Sequence, residues 1–143
     1  MNIGCLFGSF DPPHAGHLAI ARHMLKGASL DQVWLVVTPQ NPFKQDRKLS
    51  PEQHRLAMTR LALQGETGLA ASGFELDLPK PNYTSDTLAF MRQRWPQHAF
   101  SLIIGSDNFQ LYLRVFNIAG EVIGQCEVCQ FFTLKMKRDC TFE

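Results

Sequence analysis

Two imidazoles, His14 and His17, stand behind a glycine-serine step near the start of this 143-residue chain. Residues 4 to 17 read Gly-Cys-Leu-Phe-Gly-Ser-Phe-Asp-Pro-Pro-His-Ala-Gly-His. The apolar run Ile3 to Phe7 ends at Gly8, and His14-x-Gly16-His17 opens an amphipathic stretch, which reads as strand, glycine turn and helix start. A helix N-terminus offers unpaired N–H donors and partial positive charge, so it is a natural seat for phosphate. Two histidines placed there point to phosphoryl or nucleotidyl chemistry. Gly8 lets the backbone pass close to a phosphate that a Cβ would obstruct. Ser9 adds a hydroxyl, and the amides of Ser9 and Phe10 can donate to phosphate oxygens. Asp11-Pro12-Pro13 is turn chemistry, with Asp11 bonding its own backbone and the prolines stiffening the approach. Gly16 keeps the first helical turn uncrowded. His14 and His17, about one turn apart, are expected to face the same side. Lys44, in the polar loop Pro39 to Lys48, can bring charge to a triphosphate. Taken singly, a histidine at a helix start is a cap and a loop lysine is solvated; the set is what carries the reading.

These residues must be positioned by the elements around them. Val33 to Val37 is a continuous apolar run of strand length, as in a buried parallel strand. Between it and the first strand, Leu18, Ala21 and Leu25 recur at helical spacing, with Ile20 and Met24 flanking them, so the chain opens with a βαβ unit. Ser50-Pro51-Glu52-Gln53 predicts a second helix, with Ser50 as N-cap and Gln53 completing a capping box. Leu56, Met58, Leu61 and Leu63 give that helix its apolar content. A strand is expected near Ala70 to Leu76, then the loop Pro79 to Asn82, then a helix capped by Thr84 or Ser85 and ended by Pro96. Phe100 to Ile104 is another buried strand, stopped by Gly105-Ser106-Asp107. Alternation of this kind implies an α/β fold, a Rossmann-like open and mostly parallel sheet with helices on both faces. Ligands then sit beyond the carboxyl ends of the strands, where Gly8 to His17, Pro39 to Lys44 and Gly105 to Asp107 all fall.

Composition narrows the function classes. The chain is 45% hydrophobic and 19% charged with a formal net charge of +1, which argues against nucleic-acid binding through bulk electrostatics. No apolar run reaches membrane-spanning length. Met1 to Phe7 enters a strand directly and lacks the features of a signal peptide, so a cytoplasmic location is expected. Among the four cysteines, Cys126-x-x-Cys129 lacks a second metal-ligating pair, and free thiols in a reducing compartment are expected.

The residues quoted resemble the signature of the nucleotidyltransferase superfamily marked by an HxGH motif, and within it bacterial nicotinate-nucleotide adenylyltransferases. Blocks match in order: Gly8 to His17, Pro39 to Lys44, Pro81-Asn82-Tyr83-Thr84-Ser85-Asp86-Thr87-Leu88, and Ile104 to Asn108. The resemblance implies that ATP and nicotinate mononucleotide are the small-molecule substrates, with magnesium accompanying the nucleotide. It implies that His14, His17 and Lys44 act on the ATP phosphates. Gly8, Ser9, Phe10, Gly16, Gly105 and Asp107 would bind ATP, Asp107 through the ribose hydroxyls. Ser9, Asn41, Tyr83 and Thr84 would hold the mononucleotide, Thr84 through the pyridine carboxylate. The alternatives are a non-catalytic nucleotide-binding remnant and an adenylyltransferase for another phosphorylated substrate, such as phosphopantetheine.

The resemblance covers residues 1 to 110 and stops after Gln110. Members continue with a tryptophan that stacks on the nicotinate ring and, near the C-terminus, an Ile-Ser-Ser-Thr-x-Ile-Arg type segment that binds ATP phosphates. Leu111 to Glu143 carries neither. The expectation is therefore a Rossmann-like domain over 1–110 and an atypical tail over 111–143, either a divergent ending or, the favoured reading because the match stops so suddenly, the product of a frame disruption.

Overall fold

A computed structural model of the chain describes residues 1–39, 48–79, 84–105, 120–126 and 131–136. Four parallel strands form the body of the sheet: β1 (Asn2–Gly8), β2 (Gln32–Val37), β3 (Leu69–Ser72) and β4 (Ala99–Gly105). Between them run α1 (Ala15–Gly27), α2 (Glu52–Ala62), a 3₁₀ turn (Phe74–Asp77) and α3 (Thr84–Arg94). Two further strands, β5 (Gly120–Cys126) and β6 (Phe131–Met136), pair antiparallel with each other, and β6 pairs antiparallel with β4. The order across the sheet is β3-β2-β1-β4-β6-β5. The expected open α/β sheet is thus present, and the stretch after Leu111, which shows no βα pattern in sequence, adds an antiparallel edge to the same sheet.

Alternation along each strand divides the core into two layers. Leu6, Val33, Leu35, Val37 and Ile103 face α1 and α2, where Ile20, Ala21, Met24 and Leu56 meet them. Ile3, Cys5, Val36, Phe100, Leu102 and Ile104 face the opposite side, with Leu88 and Met91 of α3. Both faces are covered, so these strands read as near-continuous apolar runs. Gly4 sits in the first layer because a Cβ there would lie 2.5 Å from Leu30 Cδ1 and 3.1 Å from Ile103 Cδ1.

Three local expectations are corrected. The third strand ends at Ser72, and Phe74–Asp77 is a 3₁₀ turn. Pro51, not Ser50, is the N-cap of α2, and no side chain caps that end. The Ser50 amide instead donates to Asp11 Oδ2 at 2.8 Å, and the Ser50 carbonyl accepts from Arg55 Nε at 2.9 Å, so its backbone is committed to long-range bonds. The buried face of α2 is Arg55, Leu56 and Thr59, while Leu61 is exposed.

Candidate active site

The order of the strands reverses at β1. The chain steps outward from β1 to β2 and β3, then returns to place β4 on the other flank of β1. In open α/β sheets the crevice for ligands lies at such a switch point, beyond the carboxyl ends of the strands. Leu6 stands beside Ile103 in the register of β1 and β4, so the two strands finish together at Gly8 and Gly105. The loop that leaves Gly8 leads directly to His14 and α1.

His14 is the N-cap of α1, with φ −140° and ψ 175°. Its Nδ1 accepts from the Gly16 amide at 3.1 Å, and its own amide donates to Nδ1 of His17 at 3.1 Å. The two rings stack, with centroids 3.7 Å apart and planes 21° from parallel. Each Nδ1 is an acceptor in these bonds, so each neutral ring keeps its proton on Nε2, as a donor. Burial, with His14 adding to it, holds the His17 pKa down to about 4. His17 is therefore a neutral imidazole at neutral pH. Gly16 is required by this arrangement: a Cβ there would lie 2.9 Å from Cε1 and Nδ1 of the His14 ring.

Phe10 supports the pair from below. Its ring is buried, meets His17 edge-on at 4.8 Å, and belongs to the α1–α2 core layer. Its backbone φ is +47°, a region that costs a residue with a Cβ roughly 1–2 kcal/mol. Gly8 answers to the same ring, because a Cβ there would lie 3.1 Å from Phe10 Cζ. The space over Gly8 that the sequence suggests for phosphate is therefore taken, on its Cβ side, by Phe10. Asp11 Oδ2 also accepts a long-range bond from the Ser50 amide, which the sequence pattern does not show.

The residue that sequence reasoning missed is Arg55. Its side chain is 1% exposed. Nε donates to the Ser50 carbonyl, Nη1 to those of Ser9 and Thr38, and Nη2 to that of Pro39. Burial draws its pKa down, while the charges of Asp11 and Glu52 push it back up. The signal was available: Arg55 shares the i, i+1, i+4 spacing of Leu56 and Thr59 on the buried face of α2. Thr84 opens α3 and is half-buried, and Gly105 closes β4. Lys44, Asn41, Tyr83 and Asp107 lie outside the described residues, as do Cys129 and Cys140. The structure thus brings together Gly8, Ser9, Phe10, His14, Gly16 and His17, with Gly105 at the adjacent strand end. Among the described residues no group of His, Cys, Asp and Glu side chains could hold a metal ion, and no helix is long and apolar enough to cross a membrane.

The family model described as cytidylyltransferase-like matches residues 5–138. The chain belongs to that family. Within the family it is 47% identical over 110 residues to a probable nicotinate-nucleotide adenylyltransferase of Flavobacterium johnsoniae, covering 77% of this chain and 57% of the relative. A probable nicotinate-nucleotide adenylyltransferase of Bacteroides fragilis is 45% identical over 113 residues, covering 79% of this chain and 56% of that protein. The chain therefore spans little more than half the length of these relatives. Among solved structures, the nicotinic acid mononucleotide adenylyltransferase of Plasmodium falciparum complexed with NaAD aligns with a TM-score of 0.65 at 19% identity, over 79% of this chain and 56% of that one. At that identity the likeness speaks for the fold, and it agrees with the Rossmann-like sheet described above.

Proposed function

We propose that this chain carries the catalytic core of an adenylyltransferase that joins the adenylyl group of ATP to nicotinate mononucleotide, giving deamido-NAD and pyrophosphate. The observation that carries the reading is the stacked His14–His17 pair at the start of α1, held at the switch point of the sheet. It is supported by the names of the relatives, nicotinate-nucleotide adenylyltransferases, and by the NaAD held by the Plasmodium falciparum protein.

The chemistry suits these groups because it needs no general base. A phosphate oxygen of the mononucleotide, already anionic at neutral pH, attacks the α-phosphorus of ATP. The bond from that phosphorus to the bridging oxygen breaks, and pyrophosphate leaves in line. The protein's task is alignment and stabilisation of charge on the α-phosphoryl oxygens. The Nε2–H groups of His14 and His17 donate there, and the start of α1 adds its partial positive charge. The neutral, preorganised ring of His17 suits a donor role, since its Nδ1 accepts a bond and its proton is left on Nε2. Magnesium enters with ATP as part of the nucleotide substrate. Lys44 joins the phosphates in this reading, Asp107 and Gly105 take the adenosine, and Ser9, Asn41, Tyr83 and Thr84 take the mononucleotide. A cytoplasmic location follows from the same reading, with both substrates as its small-molecule partners. The division into a nucleotidyltransferase domain over 1–110 and an atypical tail over 111–143 stays part of this proposal, with the ATP chemistry assigned to 1–110.

The test is pyrophosphate release from MgATP with nicotinate mononucleotide, nicotinamide mononucleotide and phosphopantetheine in parallel. Release that depends on the first is expected. Release with phosphopantetheine alone would assign another acceptor. Thermal stabilisation by ATP without any release would leave nucleotide binding and remove the transfer reaction.

A further inference from the structure

We propose that Arg55 is the positioning residue of this site: by holding the carbonyls of Ser9, Thr38, Pro39 and Ser50 at once, its guanidinium fixes the loop on which the His14–His17 pair rests. The proposal builds on the reading of that pair as phosphate-facing donors. Guanidinium has five N–H donors in a rigid fork. Here that fork joins segments that are distant in sequence: the loop after β1, the end of β2 and the start of α2. A buried cation spent on neutral carbonyls is an expensive way to hold a fold together, since burial alone disfavours the charge. An aliphatic side chain would fill the same space but would leave the carbonyls of Ser9, Thr38, Pro39 and Ser50 without this donor. What the guanidinium adds is direction.

The path from Arg55 to the histidines is short and continuous. Nη1 holds the Ser9 carbonyl at 2.9 Å. The next residue is Phe10, whose φ of +47° needs an external restraint. Its ring edge then meets His17, whose Nδ1 accepts from the His14 amide. A second route closes on the same point, because Ser50 donates to Asp11 while its carbonyl accepts from Arg55. Without the guanidinium, Phe10 is free to relax to negative φ, and its ring leaves both Gly8 and His17. Arg55 touches no reacting atom in this account; it acts through Phe10.

The test uses the full chain with Arg55→Met, which keeps the volume, and Arg55→Lys, which keeps charge and three donors. Circular dichroism establishes folding, NMR titration follows the His14 and His17 rings, and pyrophosphate release gives kcat and KM. For folded Arg55→Met, the His17 midpoint is expected to move from about 4 toward the ordinary value of about 6.5. Its kcat is expected to fall by roughly tenfold to a hundredfold, with KM for ATP changed by less than about threefold. Arg55→Lys should recover part of both effects. A folded variant that keeps the His17 midpoint near 4 overturns the proposal. If Arg55→Met does not fold, Arg55→Lys decides alone by the same midpoint; if neither folds, the residue is structural and the proposal fails. Should the unaltered chain release no pyrophosphate, the functional reading falls, while the histidine titration still decides the role of Arg55.

Discussion

The two ends of the parallel sheet are held by different physics. Where the strands begin, aromatic rings pack on one another: Trp34 meets Trp95 at 5.2 Å and Phe100 at 5.6 Å, both near edge-on. Where the strands end, one guanidinium collects four carbonyls around a loop that turns through Phe10. Both ends contain a non-glycine residue with positive φ, and the contrast between them is instructive. Ser29, at +53°, lies just past the C-cap of α1, where the left-handed conformation is the ordinary way to end a helix. Phe10, at +47°, terminates nothing. Its conformation exists to place a ring beneath His17. Packing without direction tolerates adjustment and supplies stability; directional bonds around a strained turn supply geometry. Damage at the two ends should therefore be read by different instruments.

The largest expected effect is at the strained end. His17→Ala is predicted to lower pyrophosphate release by roughly 10²-fold or more, the loss typical of a charge-stabilising donor. The ring is half-buried and accepts one capping bond, so stability should fall by only about 1 kcal/mol. Near-normal turnover in steady-state kinetics would break the assignment of chemistry to this end. Next is the converse lesion. Phe100→Ala, at a ring that is 4% exposed, should cost about 3 kcal/mol in urea unfolding. It should leave the His17 titration in place, and a shifted His17 midpoint would show that the two ends are not independent.

These differences explain what was legible in the sequence. The strands were readable because burial on both faces forces continuous apolar runs, as in Val33 to Val37 and Phe100 to Ile104. The histidine pair was readable because its spacing sets both rings on one side of a helix start. Arg55 was not, because a charged residue in a helix is normally solvated and its carbonyl partners come from Ser9, Thr38 and Pro39, far away in the chain. Ser50 misled for the same reason: its local pattern is a capping box, and a long-range bond from its amide to Asp11 won. The antiparallel edge of β5 and β6 was missed because a two-stranded ribbon carries no βα rhythm. Gly8 was recognised as necessary, but for phosphate rather than for the Phe10 ring that its missing Cβ admits.

A smaller effect separates stability from activity within one residue. Gly16→Ala replaces a poor helix former by the best one, worth up to about 1 kcal/mol. The new Cβ, however, would meet the His14 ring at 2.9 Å, and the displaced ring loses a capping bond of similar size. The melting temperature should stay close to that of the parent chain. Turnover should fall about tenfold, because the stacked pair is opened. A variant with full turnover would show that stacking of the rings is incidental.

The smallest effect in the parent chain is a pH dependence that two groups hide from each other. His17 is held down to about 4 from an ordinary 6.5, chiefly by burial, so the unfolded chain binds more protons between those values. Its contribution to stability is complete above 6.5 and is lost as pH falls through 4. Glu75, in the 3₁₀ turn after β3, is raised from 4.5 to about 7 by burial, against a hydrogen bond from Thr87. Here the folded chain binds more protons, so the contribution is complete below 4.5 and is lost as pH rises through 7. Between 4.5 and 6.5 the slopes oppose, and the parent chain should show a shallow profile in that window. Glu75→Gln should expose the histidine slope, with stability rising from pH 4 to 6.5. His17→Ala should expose the carboxylate slope, with stability falling by on the order of 2 kcal/mol from pH 4.5 to 8. Urea unfolding at half-unit pH steps measures both. If the two variants give profiles of the same sign, the opposition of the buried carboxylate and the neutral imidazole is wrong; opposite signs would show that the site end sets its own proton balance.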